Sequence, residues 1–317
     1  MEKLSIIGCG TMGHSIALAA AWAGIDVKVW GVNEEDLTKA DRGLHNKLNF
    51  MVENELFDER EAEEIQSRIM FFTSLQGAVQ GATFIIEAIP EIIEMKLKLY
   101  RELEGLIDVN VVIASNTSGF TPTSLAEGAA RPERFIVTHF WNPGHLIPLV
   151  EVVKGEQTSQ DTIDRSLHFM KQMNKHPIFL SKEIPGFIGN RLQYALFREA
   201  QSLLDNGVAT KEDIDAAVTY SIGRRYPITG PLMTADMGGL DVFSAISNYL
   251  FEDLSKVERS GKVLADLVNE GKIGDKSGEG FYHWDDAFSK KINAKREKTL
   301  IHFLKLDREN RKKEGGL

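Results

Sequence analysis

A glycine-rich turn near the start constrains this chain more than any other feature. The residues concerned are the apolar run Leu4–Ile7, the turn Gly8-Cys9-Gly10-Thr11-Met12-Gly13 and the helical run Thr11–Trp22. In the spacing G-x-G-x-x-G, the first glycine permits a tight turn, the second lets the backbone approach a pyrophosphate, and the third lets helix pack on strand. Unpaired N–H groups at the helix start then face the phosphates. Because a strand precedes the motif and a helix follows it, we predict a dinucleotide site formed by Gly8, Gly10, Thr11, Met12 and Gly13.

The second strand of such a fold normally ends in an acidic residue that binds the ribose hydroxyls. Here Val27–Trp30 is followed by Gly31 instead. A 2′-phosphorylated cofactor would need a cation at this point, whereas the carboxylates of Glu34 and Glu35 follow. We therefore predict NAD as the cofactor, with Asn33 or Glu34 as the substitute ribose partner. We also expect that an aspartate at position 31 would tighten NAD binding.

Apolar strands alternate with charged or amphipathic helices over the first part of the chain, which predicts a doubly wound parallel sheet. The expected strands are Leu4–Ile7, Val27–Trp30, Thr83–Ile89, Val111–Ser115 and Phe135–Phe140; the expected helices are Thr11–Trp22, Glu34–Glu53, Asp58–Arg68 and Glu91–Ile107. Beyond Pro185 the pattern is mainly helical. The predicted fold class is α/β, with an N-terminal Rossmann-like doubly wound sheet and an all-α C-terminal domain.

Three segments follow from this pattern. We predict an NAD-binding domain over residues 1–183, a helical domain over residues 184–286 and a basic helical tail over residues 287–317. The tail carries ten Lys/Arg against four Asp/Glu. Such a charged run is typical of the solvated face of a terminal helix, although it could also form a partner surface.

Composition excludes several classes of protein. A formal net charge of −9 argues against a nucleic-acid binder, and no apolar run reaches the roughly 18 residues of a membrane helix. The single cysteine, Cys9, cannot form an internal disulfide, which suits a reducing cytoplasm. We expect a cytoplasmic enzyme with a small-molecule substrate and no metal site.

A histidine and a glutamate lie on two neighbouring apolar runs. His139 is the last residue but one of the expected strand Phe135–Phe140, and Glu151 lies twelve residues further on within Pro148–Val153. If the intervening loop reverses the chain, the two side chains can touch. A histidine suits the removal of a hydroxyl proton as hydride leaves, because its ordinary pKa lies near neutral pH. A carboxylate on the other ring nitrogen would fix the tautomer and stabilise the imidazolium.

Taken together, these motifs resemble the L-3-hydroxyacyl-CoA dehydrogenase family, including the related L-carnitine and L-gulonate 3-dehydrogenases. The resemblance covers about Lys3 to Trp284. The motifs that carry it are Ile7–Gly13, Glu87-Ala88-Ile89-Pro90-Glu91, Ser115-Asn116-Thr117-Ser118, His139-Phe140-Trp141-Asn142-Pro143, Pro148–Val153, Pro185–Arg191 and Gly274–Tyr282.

The resemblance implies a role for individual residues. His139 is the implied base and Glu151 its partner. Ser118 and Asn190 are implied to hold the substrate oxygen, and Asn142 to lie beside the nicotinamide. The positions that match dinucleotide contacts in the family are Ala88, Glu91, Lys96, Ser118, Asn142 and Lys276.

The same resemblance implies an activity and an assembly. The activity is NAD-dependent oxidation of an L-3-hydroxyacyl-CoA to the 3-oxoacyl-CoA, with a place in fatty acid metabolism. The family forms homodimers through its helical domain, and amphipathic helices such as Ile188–Leu204 need a partner for their apolar faces. We therefore expect a homodimer.

One departure from the family pattern keeps other interpretations of the substrate open. CoA-binding members carry a lysine-rich segment after the second strand, whereas Leu48–Phe57 has Glu53 and Glu55 and no lysine. A free 3-hydroxycarboxylate is therefore the alternative substrate, and Arg224 or Arg225 could bind its carboxylate. A further alternative is a binding protein that keeps the fold without catalysis.

Overall fold

The structure, a computed structural model, describes residues 2–313, except for the side chains of residues 311 and 312. Within that range eight strands form one sheet: β1 Leu4–Ile7, β2 Val27–Trp30, β3 Ile69–Phe72, β4 Phe84–Glu87, β5 Val112–Ser115, β6 Phe135–Phe140, β7 Leu149–Lys154 and β8 His176–Leu180. Their order is β3-β2-β1-β4-β5-β6-β7-β8. Neighbours pair in parallel except β6 and β7, which are antiparallel. The predicted doubly wound sheet is confirmed.

The sheet is flanked by α1 Thr11–Trp22, α2 Glu34–Glu53, α3 Glu59–Ser67, α4 Leu75–Val79, α5 Ile93–Glu104, α6 Pro122–Leu125 and α7 Gln160–Gln172. Two hydrophobic clusters cover its two faces, because successive strand residues point to opposite sides. Ile6 belongs to the cluster that includes α1 and α2 residues, and Ile7 belongs to the cluster that includes α5 residues. The strand order reverses at β1, so the carboxyl ends of β1 and β4 border the crevice in which such folds bind ligands.

Two strands were not predicted from the sequence. β3 is an edge strand of four residues that directly follows charged α3, and β8 is the edge strand on the other side and contains Pro177. Edge strands are short and tolerate proline, since one of their sides makes no sheet hydrogen bonds. The apolar alternation that reveals central strands is correspondingly weak in both.

A second compact unit, residues 189–293, is helical. Its helices are α8 Gly189–Asp205, α9 Lys211–Ala217, α10 Gly223–Arg225, α11 Pro231–Gly238, α12 Leu240–Asp253 and α13 Lys262–Asn269. The Asp205 carboxylate at the end of α8 accepts the N–H groups of Lys262 and Val263 at 2.9 and 3.0 Å, which ties α13 to α8. No residue of this unit is buried, so many of its apolar side chains face solvent.

The C-terminal tail is an integral part of the sheet unit. It forms α14, Asp286–Lys313, and residues from Ala294 onward group with those up to Ile188. Ile301 is 3% exposed within the core cluster. The Arg308 guanidinium lies 4.2 Å from the ring centroid of Trp22. The tail thus has apolar side chains packed on the core as well as a solvated face, and the segment boundary predicted at residue 287 stays a prediction.

No helix within residues 2–313 is both long and apolar enough to cross a membrane.

We expect Ile301→Ala to lower the free energy of unfolding by about 2–4 kcal/mol, the usual cost of truncating a buried isoleucine. Urea denaturation measures this. Leu306→Ala, on the same helix but 40% exposed, is the matched control and should change stability far less. Equal effects of the two substitutions would show that α14 does not pack through Ile301.

Candidate active site

The glycine turn after β1 has the shape that a dinucleotide requires. A Cβ atom on Gly8, whose φ is +112°, would lie 2.6 Å from the Ala88 carbonyl oxygen, and one on Gly13 would overlap the Gly8 carbonyl oxygen. A Cβ atom on Gly10 would meet nothing within 4 Å, so its backbone borders open space. No side chain caps the N-terminus of α1, which starts at Thr11. The chain therefore fits a pyrophosphate at this turn.

At the ribose end, two side chains close over Gly31. A Cβ atom there would lie 2.5 Å from Cδ2 of Leu37 and 2.8 Å from Sγ of Cys9. An aspartate at 31 fits only if the ends of these two side chains shift, so a steric cost opposes the tighter NAD binding expected from the sequence. Asn33 caps α2: its Oδ1 accepts the N–H of Asp36 at 2.8 Å. A ribose contact of Asn33 stays a prediction.

A buried carboxylate organises the ends of β4 and β5. Glu87 is fully buried and accepts hydrogen bonds from Nζ of Lys96, the hydroxyl of Tyr100 and Oγ of Ser115, each at 2.6 Å. The Ile89 N–H adds a fourth at 2.8 Å. Burial, and then the negative charge of Glu87, raises the pKa of the Tyr100 hydroxyl well above its usual value, so Tyr100 acts here as a donor.

This network extends to the turn that carries Ser118. Nζ of Lys96 also lies 3.3 Å from Oε2 of Glu91. Oε1 of Glu91 in turn accepts the backbone N–H of Ser118 at 3.1 Å and the hydroxyl of Thr117. Glu91 and Lys96 therefore hold this turn. Their predicted contacts with the dinucleotide, like that of Ala88, stay predictions.

The predicted contact between His139 and Glu151 is present. The two residues are direct partners in the antiparallel register of β6 and β7, and Nδ1 of His139 lies 2.8 Å from Oε2 of Glu151. Because an ionised carboxylate only accepts, the proton of this bond belongs to Nδ1, and the lone pair of Nε2 is the basic one. At the end of β6, Oδ1 of Asn116 accepts the N–H of Phe140 at 2.8 Å and so fixes the strand that carries His139.

Two further donors surround the Glu151 carboxylate. Nε1 of Trp141 lies 3.3 Å from Oε2, and the backbone N–H of Ile188 donates to Oε1 at 2.9 Å. Phe187 has a φ of +52°, which is rare for a bulky residue, and its buried ring centroid lies 5.5 Å from that of His139. Backbone strain of this kind concentrates at functional sites.

The remaining predicted residues lie outside β6 and β7. Asn142 is exposed two residues after β6. Asn190 is the second residue of α8, and Lys276 lies in the short turn Asp275–Ser277. Arg224 stacks on Tyr220 with 5.3 Å between guanidinium and ring centroid, and Arg225, which follows it, is exposed. Their roles stay predictions.

Sequence reasoning missed four members of the site: Glu87, Trp141, Phe187 and the backbone N–H of Ile188. Glu87 left a signal, because it is the single charged residue of an otherwise apolar strand. Trp141 stands in a motif quoted for the resemblance, but nothing in the sequence shows where its indole points. The positive φ of Phe187 has no sequence signal at all.

We expect Gly31→Asp to weaken NAD binding and to lower stability by about 1–3 kcal/mol, the usual cost of overpacking a filled site. Fluorescence titration with NAD and thermal unfolding measure the two effects. Gly105→Ala, just after α5, where a Cβ would make only an ordinary contact 3.5 Å from the Glu102 carbonyl oxygen, is the control that should change neither. Tighter NAD binding by Gly31→Asp would show that Leu37 and Cys9 move aside.

Comparison with known proteins identifies the family. The family models described as the NAD-binding domain and the C-terminal domain of 3-hydroxyacyl-CoA dehydrogenase match residues 3–184 and 186–284. The chain is 33% identical over 301 residues to 5-formyl-3-hydroxy-2-methylpyridine 4-carboxylate 5-dehydrogenase from Mesorhizobium japonicum, covering 95% of this chain and 96% of that one. It is 35% identical to mitochondrial hydroxyacyl-coenzyme A dehydrogenase of Sus scrofa, over 90% and 91% of the two chains.

A solved structure supports the same family assignment. The crystal structure of a 5-formyl-3-hydroxy-2-methylpyridine 4-carboxylic acid 5-dehydrogenase, described as an NAD+-dependent dismutase, superimposes with a TM-score of 0.89 at 32% identity and covers 100% of both chains. These matches span nearly the whole molecule, including both predicted domains. The chain therefore belongs to the 3-hydroxyacyl-CoA dehydrogenase family of NAD-dependent oxidoreductases.

Proposed function

We propose that this protein transfers hydride reversibly between NAD and the hydroxyl-bearing carbon of a small free carboxylic acid, with His139 as the general base. The observation that carries the chemistry is the buried pair of His139 Nδ1 and Glu151 Oε2, 2.8 Å apart, at the carboxyl end of β6. The choice of a free acid rests on the match with the pyridine carboxylate dehydrogenase and on the charge of the α2 region.

In the oxidation, the chain handles the proton while the hydride leaves. NAD, when bound, supplies the hydride acceptor. Nε2 of His139 removes the hydroxyl proton, and the negative charge of Glu151 stabilises the imidazolium that results. In the reduction, the same imidazolium returns the proton to the carbonyl oxygen.

Two side chains are assigned to the oxygen at the reacting carbon. Ser118 and Asn190 can each donate a hydrogen bond to a developing carbonyl oxygen. The backbone N–H of Ser118 donates a hydrogen bond to Glu91, which holds the Ser118 turn in place. This supports the role of Ser118, because a donor stabilises a developing charge only when its position is fixed beforehand.

Two comparisons support a free acid. The relative named for a free pyridine carboxylate matches over almost the entire chain, and the structure of such an enzyme covers 100% of it. The family model for the C-terminal domain ends at residue 284, so the whole of α14 lies beyond it. A full-length match that includes this helix favours the substrate class of that enzyme.

The lysines of α2 are already engaged. Nζ of Lys39 lies 2.7 Å from a carboxylate oxygen of Glu35. Nζ of Lys47 lies 2.9 Å from Nε2 of His14, and burial lowers the pKa of that lysine. A CoA phosphate needs a basic clamp, and these cations would have to leave their partners to form one.

The segment Leu48–Phe57 is equally unsuited to CoA. It is acidic, and its Glu55 faces Lys305 of α14 at 4.0 Å. Ile301 of α14 belongs to the same core cluster as Leu48 and Phe57. The tail therefore meets this segment at an ion pair, and both contribute side chains to one core cluster.

The second candidate substrate is an L-3-hydroxyacyl-CoA. The description of the matched family and the 35% identity to a mitochondrial hydroxyacyl-coenzyme A dehydrogenase favour it. A role in fatty acid metabolism would follow from this candidate alone. A protein that only binds is disfavoured, because the His139–Glu151 pair is intact.

We expect NAD-linked turnover with free hydroxy acids, including hydroxymethyl- and formyl-pyridine carboxylates, and with free 3-hydroxy acids. Their best kcat/KM should exceed that of 3-hydroxybutyryl-CoA by at least about tenfold, a difference of 1.4 kcal/mol. Absorbance of NADH across this panel is the measurement. A preference for the CoA ester would establish the second candidate instead.

His139→Ala is the control for the mechanism. On the best substrate of the panel, it should lower kcat on the order of a hundred- to ten-thousand-fold, the usual worth of a general base. NAD affinity should remain, because His139 is not part of the glycine turn. Near-normal turnover would remove His139 from the proposed role.

We also propose that the protein is a cytoplasmic homodimer that associates through its helical unit. Leu232, Met237 and Tyr249 are 83%, 76% and 66% exposed on α11 and α12. Apolar side chains at that exposure favour a partner surface. Light scattering at micromolar concentration should give twice the chain mass, and Met237→Glu should lower it towards the single chain. A single-chain mass for the unmodified protein would contradict this.

A further inference from the structure

The proposed reaction assigns no role to the hydrogen bond that the indole N–H of Trp141 donates to the Glu151 carboxylate. We infer that Trp141 is a positioning residue, which holds the Glu151 carboxylate in the orientation that His139 needs. This inference rests on the proposed function, since it concerns the same pair. Trp141 is not itself a catalytic residue, because it acts through Glu151.

The contacts at the carboxylate determine what Trp141 can do. Oε2 accepts from Nδ1 of His139 at 2.8 Å and from Nε1 of Trp141 at 3.3 Å. Oε1 accepts from the backbone N–H of Ile188 at 2.9 Å. Donors on both oxygens oppose rotation of the carboxylate about its last bond. The Trp141 indole is the only one of these three donors that a side-chain substitution removes without altering the base or the backbone.

The position of Trp141 follows from the strand. Residues two apart on an extended chain point to the same side, so Trp141 continues the face that carries His139. The register pairs His139 with Glu151, which makes Glu151 the diagonal neighbour of Trp141 across β6 and β7. The ring centroids of His139 and Trp141 lie 5.6 Å apart, and the two ring planes make an angle of 57°. The two side chains are therefore neighbours, and both reach Oε2 of Glu151.

Burial gives this contact its energetic weight. Glu151 is fully buried, so its carboxylate relies on protein donors. A charged group in such a place depends on every hydrogen bond that it receives. Without the indole N–H, Oε2 would lose a donor on one side, and the carboxylate could turn away from Nδ1. The base would then spend less time with its Nε2 lone pair directed at the substrate.

The first test separates the N–H group from the ring. Trp141→Phe keeps an aromatic ring and removes the donor, and it should lower kcat about fivefold, the effect of losing a modest hydrogen bond. The KM for NAD should stay within about twofold, because no donor to the cofactor is lost. Replacement of Trp141 by 3-benzothienylalanine, which keeps the indole shape with sulfur in place of N–H, should lower kcat equally. Full activity of the benzothienyl protein would overturn the inference.

The second test needs neither substrate nor NAD. The chain has four tryptophans, so its indole N–H groups give few resonances in a two-dimensional ¹H–¹⁵N spectrum, and Trp141→Phe identifies one of them. That resonance should move when Glu151→Gln replaces the charged acceptor by a neutral one.

Trp22→Phe is the control for the kinetic test, because it removes an indole far from the pair. It should leave kcat unchanged.

The two failures are distinguishable. If the Trp141 resonance does not respond to Glu151→Gln, the contact is absent and the inference falls, whatever the enzyme does with substrates. If the resonance responds but His139→Ala retains turnover, the proposed function is wrong, and the inference falls with it.

Discussion

The site depends on one buried carboxylate. Glu151 lies inside the sheet, where an ionised group is costly unless donors surround it. Three donors do so: Nδ1 of His139, the indole of Trp141 and the backbone N–H of Ile188. They come from one strand, from the residue just beyond that strand, and from the segment that precedes α8. A single charge therefore fixes both the tautomer of the histidine and the path of the chain as it leaves the sheet.

A second buried carboxylate has the same organising effect on the cofactor side. Glu87 accepts hydrogen bonds from Lys96, Tyr100 and Ser115 at the ends of β4 and β5. Lys96 also forms an ion pair with Glu91. Since β4, β5 and β6 run in parallel, their carboxyl ends lie along one edge of the sheet. The glycine turn, the braced serine turn and the histidine are thus brought to a common edge by strand direction alone.

The departures from the expected family pattern share one physical feature, which is that other side chains of this chain occupy or border the positions concerned. Leu37 and Cys9 close over Gly31, where related proteins place the ribose-binding acid. In the lysine-free segment Leu48–Phe57, Glu55 lies 4.0 Å from Lys305 of the tail helix. Neither feature involves the His139–Glu151 pair, which lies on β6 and β7.

The sequence by itself determined the glycine turn, the central strands and the pairing of His139 with Glu151, because each depends on local spacing: a motif between strand and helix, apolar runs, and a reversal between two of them. Only the tertiary structure decided the rest. The edge strands β3 and β8 have weak patterns, and the buried stripe of α14 is hidden by its charge. The donors from Trp141 and Ile188 depend on where an indole points and on a residue in the left-handed region, Phe187. Such directions are set by packing between distant segments, and no periodicity in the chain encodes them.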